Sequence, residues 1–170
     1  MSKVENKQFD FYPGVIDQEI PKLSYETDFV VILPKPIACN GATTTSGRVL
    51  LDAVGESCDF YFYTEEKVDS TRKMYITFDY MRADAGADTI TIEKYGYRNP
   101  CDGTTAGSSV WNFVADTLPA STNNRFETKT WELATATPDN NYVFAIYMNE
   151  IGKVIYVYCI TVRYFLKKVL

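Results

Sequence analysis

From Lys153 to Lys167 the chain reads Lys-Val-Ile-Tyr-Val-Tyr-Cys-Ile-Thr-Val-Arg-Tyr-Phe-Leu-Lys, a run of β-branched and aromatic residues with a period of two. Strand geometry places Val154, Tyr156, Tyr158, Ile160, Val162, Tyr164 and Leu166 on one face, and Ile155, Val157, Cys159, Thr161, Arg163, Phe165 and Lys167 on the other. A helix would scatter these residues around a cylinder. The first face is apolar throughout, whereas the second turns polar toward its C-terminal end. Strands usually run to about five or six residues, so a run this long predicts a strand that crosses a whole sheet, the spine of a sandwich. The segment Tyr142–Asn149 precedes it and is expected to be its hairpin partner through the turn Glu150-Ile-Gly152.

The same period recurs upstream. Lys73–Arg82 alternates Met74, Ile76, Phe78 and Tyr80 on a core side with Tyr75, Thr77, Asp79 and Met81 opposite, and is expected to return as a hairpin into Thr89–Tyr95, where Ile90 and Ile92 continue the core. Further strands are predicted at Phe29–Leu33, Arg48–Asp52, Cys58–Thr64, Val110–Ala115 and Arg125–Leu133. Polar loops are expected at Asn40–Gly47 and Gly96–Ser109. The count is eight or nine strands and no helix. That pattern favours an all-β, two-sheet antiparallel sandwich of jelly-roll type, with a closed up-and-down barrel as the alternative. A chain of 170 residues buries one sizeable core, so residues 29–170 are expected to form one domain. Residues 1–28 hold no period, carry Pro13-Gly14 and Pro21, and read as an N-terminal arm ordered by lying on something.

What the chain lacks narrows its chemistry. With no histidine, neither a Ser-His-Asp nor a Cys-His arrangement can be built, nor any histidine metal site. The carboxylates Glu65, Glu66, Asp79, Glu93, Glu127 and Glu132 read as ordinary acids of strand faces and ends. Asp84 and Asp88 flank Gly86 and could offer oxygens to calcium, but acids beside glycine are first of all turn chemistry. The expectation is a protein that is not an enzyme, with no catalytic residue, no metal and no cofactor. A net charge of −5 with scattered Lys and Arg argues against a nucleic-acid partner. No apolar run is long enough to span a membrane, and no apolar leader follows Met1, so a chain made in the cytosol is expected. Cys39, Cys58, Cys101 and Cys159 are widely spaced and read as reduced thiols, Cys58 and Cys159 within the core and Cys101 in a loop.

Trp111 and Trp131 are the candidate ligand-binding aromatics. Exposed, they would form a platform for sugar rings; buried, they would fill the core or an interface. Trp111 is expected to share a face with Phe113, and Trp131 with Leu133, which favours the inward reading.

The run Ile76–Ile92, with its acidic Gly turn, and the loop Tyr97-Arg-Asn-Pro-Cys-Asp-Gly-Thr-Thr105 leading to Ser108-Ser-Val-Trp111 resemble the jelly-roll domains of tailed-phage virion structural proteins. The resemblance covers roughly residues 29–166 and rests mostly on turns and alternation. It implies a non-enzymatic bacteriophage structural protein that decorates a capsid or forms a head fibre or tail appendage. Its partners would be itself, as a homotrimer, and other virion proteins such as the capsid; its location would be the virion, assembled in the host cytoplasm. On that reading Phe9, Phe11, Tyr12, Val15 and Ile16 anchor the arm to its partner, and the loops around Asp84 and Arg98 are distal tips. The alternative from another class is a carbohydrate- or host-receptor-binding β-sandwich module, with a host-surface glycan as partner.

Overall fold

A computed structural model describes residues 29–83, 88–101, 107–120, 125–133 and 135–167. The arm residues Phe9, Phe11, Tyr12, Val15 and Ile16, and the turn residue Asp84, lie outside them. Eleven strands and no helix occur among the described residues: β1 (Phe29–Ile32), β2 (Ile37–Cys39), β3 (Thr43–Thr45), β4 (Arg48–Leu51), β5 (Ser57–Thr64), β6 (Met74–Arg82), β7 (Ile90–Pro100), β8 (Ser108–Leu118), β9 (Phe126–Leu133), β10 (Asn140–Met148) and β11 (Ile155–Phe165). They form two antiparallel sheets. The front sheet runs β3-β4-β11-β6-β9, with β1 also paired to β11; the back sheet runs β2-β5-β10-β7-β8. The architecture is the all-β jelly-roll sandwich that the alternation predicts, with two or three more short strands than expected, one of them (β3) inside the segment read as a polar loop.

Two expected hairpins are absent. From β4 onward most consecutive strands alternate between the sheets. Thus β6 pairs with β11 and β9 while β7 pairs with β10 and β8, and β10 lies in the back sheet while β11 lies in the front. Alternation fixes which face of a strand is buried, but it is silent on the neighbour. Met74, Ile76, Phe78, Tyr80, Ile90 and Ile92 are all fully buried, as their period requires, yet the two strands that carry them face each other across the core. Instead β7 pairs with β8, and β7 extends through Pro100 into the segment read as a loop.

The phase of the last strand also departs from strict alternation. The register between β11 and β6 shifts between Val157 and Ile160, a β-bulge that gives β11 one residue too many for its partner. Ile155 and Val157 therefore point inward before the bulge, and Ile160, Val162 and Tyr164 after it. One face of the predicted pattern supplies the first half of the core and the other face the second half. The bulge also turns Cys159 outward, where it is exposed rather than in the core, while Cys58 is fully buried.

A stack of rings fills the centre. Phe62 lies parallel to Tyr142 at 5.1 Å and to Phe144 at 5.8 Å on the back sheet, and Phe78 meets Trp131 edge-on at 5.0 Å on the front sheet. Each fully buried ring contributes roughly 1.5–3 kcal/mol of transfer free energy, so this stack is a main source of stability.

Candidate functional site

The two tryptophans come together where the sandwich is open. β8 ends the back sheet and β9 ends the front sheet, and Trp111 of β8 meets Trp131 of β9 edge-on at 5.4 Å. Trp131 is 2 % exposed, so its ring has no free face for a ligand. Its Nε1–H donates to Asp116 Oδ2 at 2.8 Å, and Lys129 Nζ donates to Asp116 Oδ1 at 2.9 Å. Burial pushes the Asp116 carboxyl up, but hydrogen bonds from Lys129, the Thr117 amide and Trp131 outweigh it and leave its pKa lowered. Lys94 covers the Trp111 ring at 4.7 Å. Inward-pointing charges at an open edge prevent that edge from pairing with another sheet. This cluster closes the sandwich.

Trp111 and Phe113 do not share a face. The register between β7 and β8 shifts around Gly96, and Phe113 takes a left-handed conformation, φ 49°. This second bulge leaves Trp111 packed on Phe144 inside and sends Phe113 outward against Tyr95 and Tyr147. The outer face of the back sheet thus displays Phe113, Tyr61 and Tyr63, all exposed. Tyr63 donates its hydroxyl to Asp139 at 2.5 Å, which with that carboxylate's charge pushes the phenol up to about 12.

Across the outer face of the front sheet lies a groove of about 320 Å³, lined by Phe29, Val31, Tyr75, Thr77, Thr130, Thr161 and Arg163. Its volume is at the low end of the roughly 300–1,000 Å³ of small-molecule sites. Four strands build it in register. Val31, Arg163 and Tyr75 stand opposite one another on β1, β11 and β6; Thr161, Thr77 and Thr130 form the next row on β11, β6 and β9. The bulge in β11 is what sets Thr161 and Arg163 outward beside Tyr75. Val30 and Ile32 pack on the core, which leaves Phe29 and Val31 as a half-exposed apolar rim. Phe29 leans edge-on to Phe165, itself capped by the Arg72 guanidinium at 3.4 Å.

The groove offers hydroxyls, a guanidinium and an aromatic ring. Thr77 and Thr130 share one hydrogen bond at 3.1 Å, so one of the two hydroxyl protons and the remaining lone pairs face solvent. The Arg163 guanidinium lies 5.0 Å from the Tyr75 ring centroid. No carboxylate is among the lining residues, so the groove holds neither the acid pair of glycoside hydrolysis nor a nucleophile with its base.

Of the other residues singled out from sequence, Arg98 is no solvent-facing tip. It is half-buried in β7, bonded through Nε to Ser108 Oγ at 2.9 Å and through Nη1 to Thr137. Asp88 accepts from Lys153 Nζ at 2.7 Å, a bond that with Lys153's charge holds its carboxyl below the usual range. Sequence reasoning placed Tyr75, Thr77, Thr161 and Arg163 on outward faces but did not join them. The signal that would have joined them is cross-strand register, which the bulge conceals.

No family model and no curated protein matches the sequence. Among solved structures, the CBM36-1 domain of a multidomain xylanase from the hindgut metagenome of Trinervitermes trinervoides superposes with a TM-score of 0.50 and 6 % identity, over 79 % of this chain and 95 % of that one. Part of the isomalto-dextranase of Arthrobacter globiformis T6, complexed with panose, does so with a TM-score of 0.50 and 16 % identity, over 79 % of this chain and 23 % of the enzyme. At such identities the likeness is one of architecture, and the chain is an all-β jelly-roll sandwich of the shape that the CBM36-1 domain also takes.

Proposed function

We propose that this chain is a non-catalytic carbohydrate-binding β-sandwich module that takes a saccharide in the front-sheet groove. The observation that carries the reading is the lining of that groove: threonine hydroxyls and a guanidinium beside an aromatic ring and an apolar rim. A sugar has hydroxyls around its edge and apolar C–H faces, and it needs both kinds of contact. The architecture shared with a module named for binding carbohydrate is consistent with this, as is a lining that offers contact groups and no acid–base pair. Affinity electrophoresis through gels containing xylan, β-glucan, mannan, dextran or pectin is the test. Retardation in at least one gel that is lost in Tyr75→Ala and Thr161→Val, with circular dichroism unchanged, supports the proposal; no retardation in any gel overturns it.

A second reading has its own observation. Tyr61, Tyr63 and Phe113 leave the back sheet's outer face aromatic and exposed, and such patches mark association surfaces. That face suits self-association, and a homotrimeric virion component attached to a capsid would use it so. Light scattering decides the point: trimers that fall apart in Tyr61→Ser/Phe113→Ser support it, and a monomer at micromolar concentration removes it.

A further inference from the structure

We infer that the groove selects a negatively charged saccharide, one carrying a carboxylate or a sulfate, and that Arg163 reads the charge. The inference rests on the carbohydrate-binding reading above. Other cations are matched: Lys73, beside the groove, is paired with Glu132 at 2.5 Å, Lys129 at the mouth of the sandwich with Asp116 at 2.9 Å, and Arg98 of the back sheet is held by Ser108 and Thr137. Arg163 has no carboxylate partner among the described residues, although Glu132 stands just beyond Tyr75 in the same cross-strand row. Lys73 holds that carboxylate away from it.

Tyr75 prepares the guanidinium for this role. Cation–π contact engages Arg163 with the ring and leaves N–H groups for a ligand, in the fork that matches two oxygens of one anion. A side chain already held by a ring loses less freedom on binding than a free one. The surroundings do not oppose an anion, since no acid lines the groove and the carboxylate of the same row, Glu132, is paired with Lys73. Thr161 and Thr77 stand in the neighbouring row, within reach of the hydroxyls of the same sugar, and Val31 flanks Arg163 on the other side to meet an apolar ring face. In a protein whose net charge is −5, such a locally cationic patch would let a particular anion in while the rest of the surface repels polyanions at large.

Calorimetry on the full chain, with ligands that differ only in charge, tests this. Trigalacturonate is compared with its methyl ester for the carboxylate, and a κ-carrageenan tetrasaccharide, which holds no uronic acid, with its desulfated form for the sulfate. A charged form that binds about tenfold or more tighter than its neutral counterpart in either pair supports the inference, and the pair that responds identifies the anion. Arg163→Gln should abolish the difference by weakening the charged form to the level of the neutral one, while Arg163→Lys should keep part of it. Equal binding of charged and neutral forms overturns the inference and leaves the carbohydrate-binding reading standing. Equal weakening of both forms by Arg163→Gln also overturns it, since Arg163 would then be a contact without charge selection. No binding of any of these sugars, or of the polysaccharides above, overturns both.

Discussion

Trp131 on β9 donates its indole N–H to Asp116 on β8 at 2.8 Å, and this one bond ties the edge of one sheet to the edge of the other. The carboxylate also receives Lys129 at 2.9 Å, so a charged group sits in the mouth of the sandwich with hydrogen bonds from two side chains of β9 and from the Thr117 amide of β8.

Asp116→Ala should lower stability by about 1–3 kcal/mol, because it leaves the buried indole N–H without an acceptor. The sign of the pH effect follows from the lowered carboxyl: its contribution is present above the unfolded carboxylate value of about 3.9 and is lost as pH falls through the folded one. Asp116→Asn keeps an acceptor for Trp131 but does not titrate. Urea unfolding at a series of pH values should therefore show a shallower acid loss for Asp116→Asn than for the wild type.

Gly96 has no room for a β-carbon. An added one would lie 2.6 Å from Cδ1 of Phe144 and closer still to Cε1, in the stacked centre of the back sheet. Gly96→Ala should cost about 1–3 kcal/mol through overpacking. Phe144→Leu will itself destabilise, but a double-mutant cycle with Gly96→Ala should give a total loss smaller than the sum of the single losses.

The hydroxyl of Tyr80 is buried without a hydrogen-bond partner among the described residues, and burial pushes its pKa up to about 12. Tyr80→Phe removes an unsatisfied polar atom and keeps the ring. The expected result is unchanged stability or a gain of up to about 1–2 kcal/mol, read from the denaturation midpoint.

Deleting residues 1–28 should leave the domain folded. Among the described residues the buried cluster runs from Val49 to Tyr164, and the earliest pairing is Phe29 with Phe165. A far-ultraviolet spectrum and thermal midpoint close to those of the full chain are expected. An unfolded truncation would show that the arm is part of the core.

Much of the sandwich was legible because alternation is a local property. The Met74, Ile76, Phe78, Tyr80 series reads as one buried face in sequence and is one in space. Strand partners were not legible, because the same alternation serves β6 whether its neighbour is β7 or β11. The bulges at Val157–Ile160 and near Phe113 were hidden for a related reason, since an inserted residue shows only as a change of phase and large apolar residues flank both sites on either face. The groove inherits that blindness. Arg163 and Tyr75 lie 88 positions apart in the chain and become neighbours only through the register of β11 on β6.

The placement of β11 has a consequence for how the protein is made. It lies between β4 and β6, and it is the strand with which β1 pairs, so the front sheet lacks its middle until β11 has been synthesised. On the ribosome, β4 and β6 must wait with buried faces exposed while most of the chain follows them. Pairings this distant in sequence make folding slow and leave the intermediates prone to aggregate. A stop codon before Ile155 would therefore remove more than an edge: it would leave β1 and β4 without their shared partner and β6 without one of its two, and the chain would emerge as an open half-sandwich dependent on chaperones.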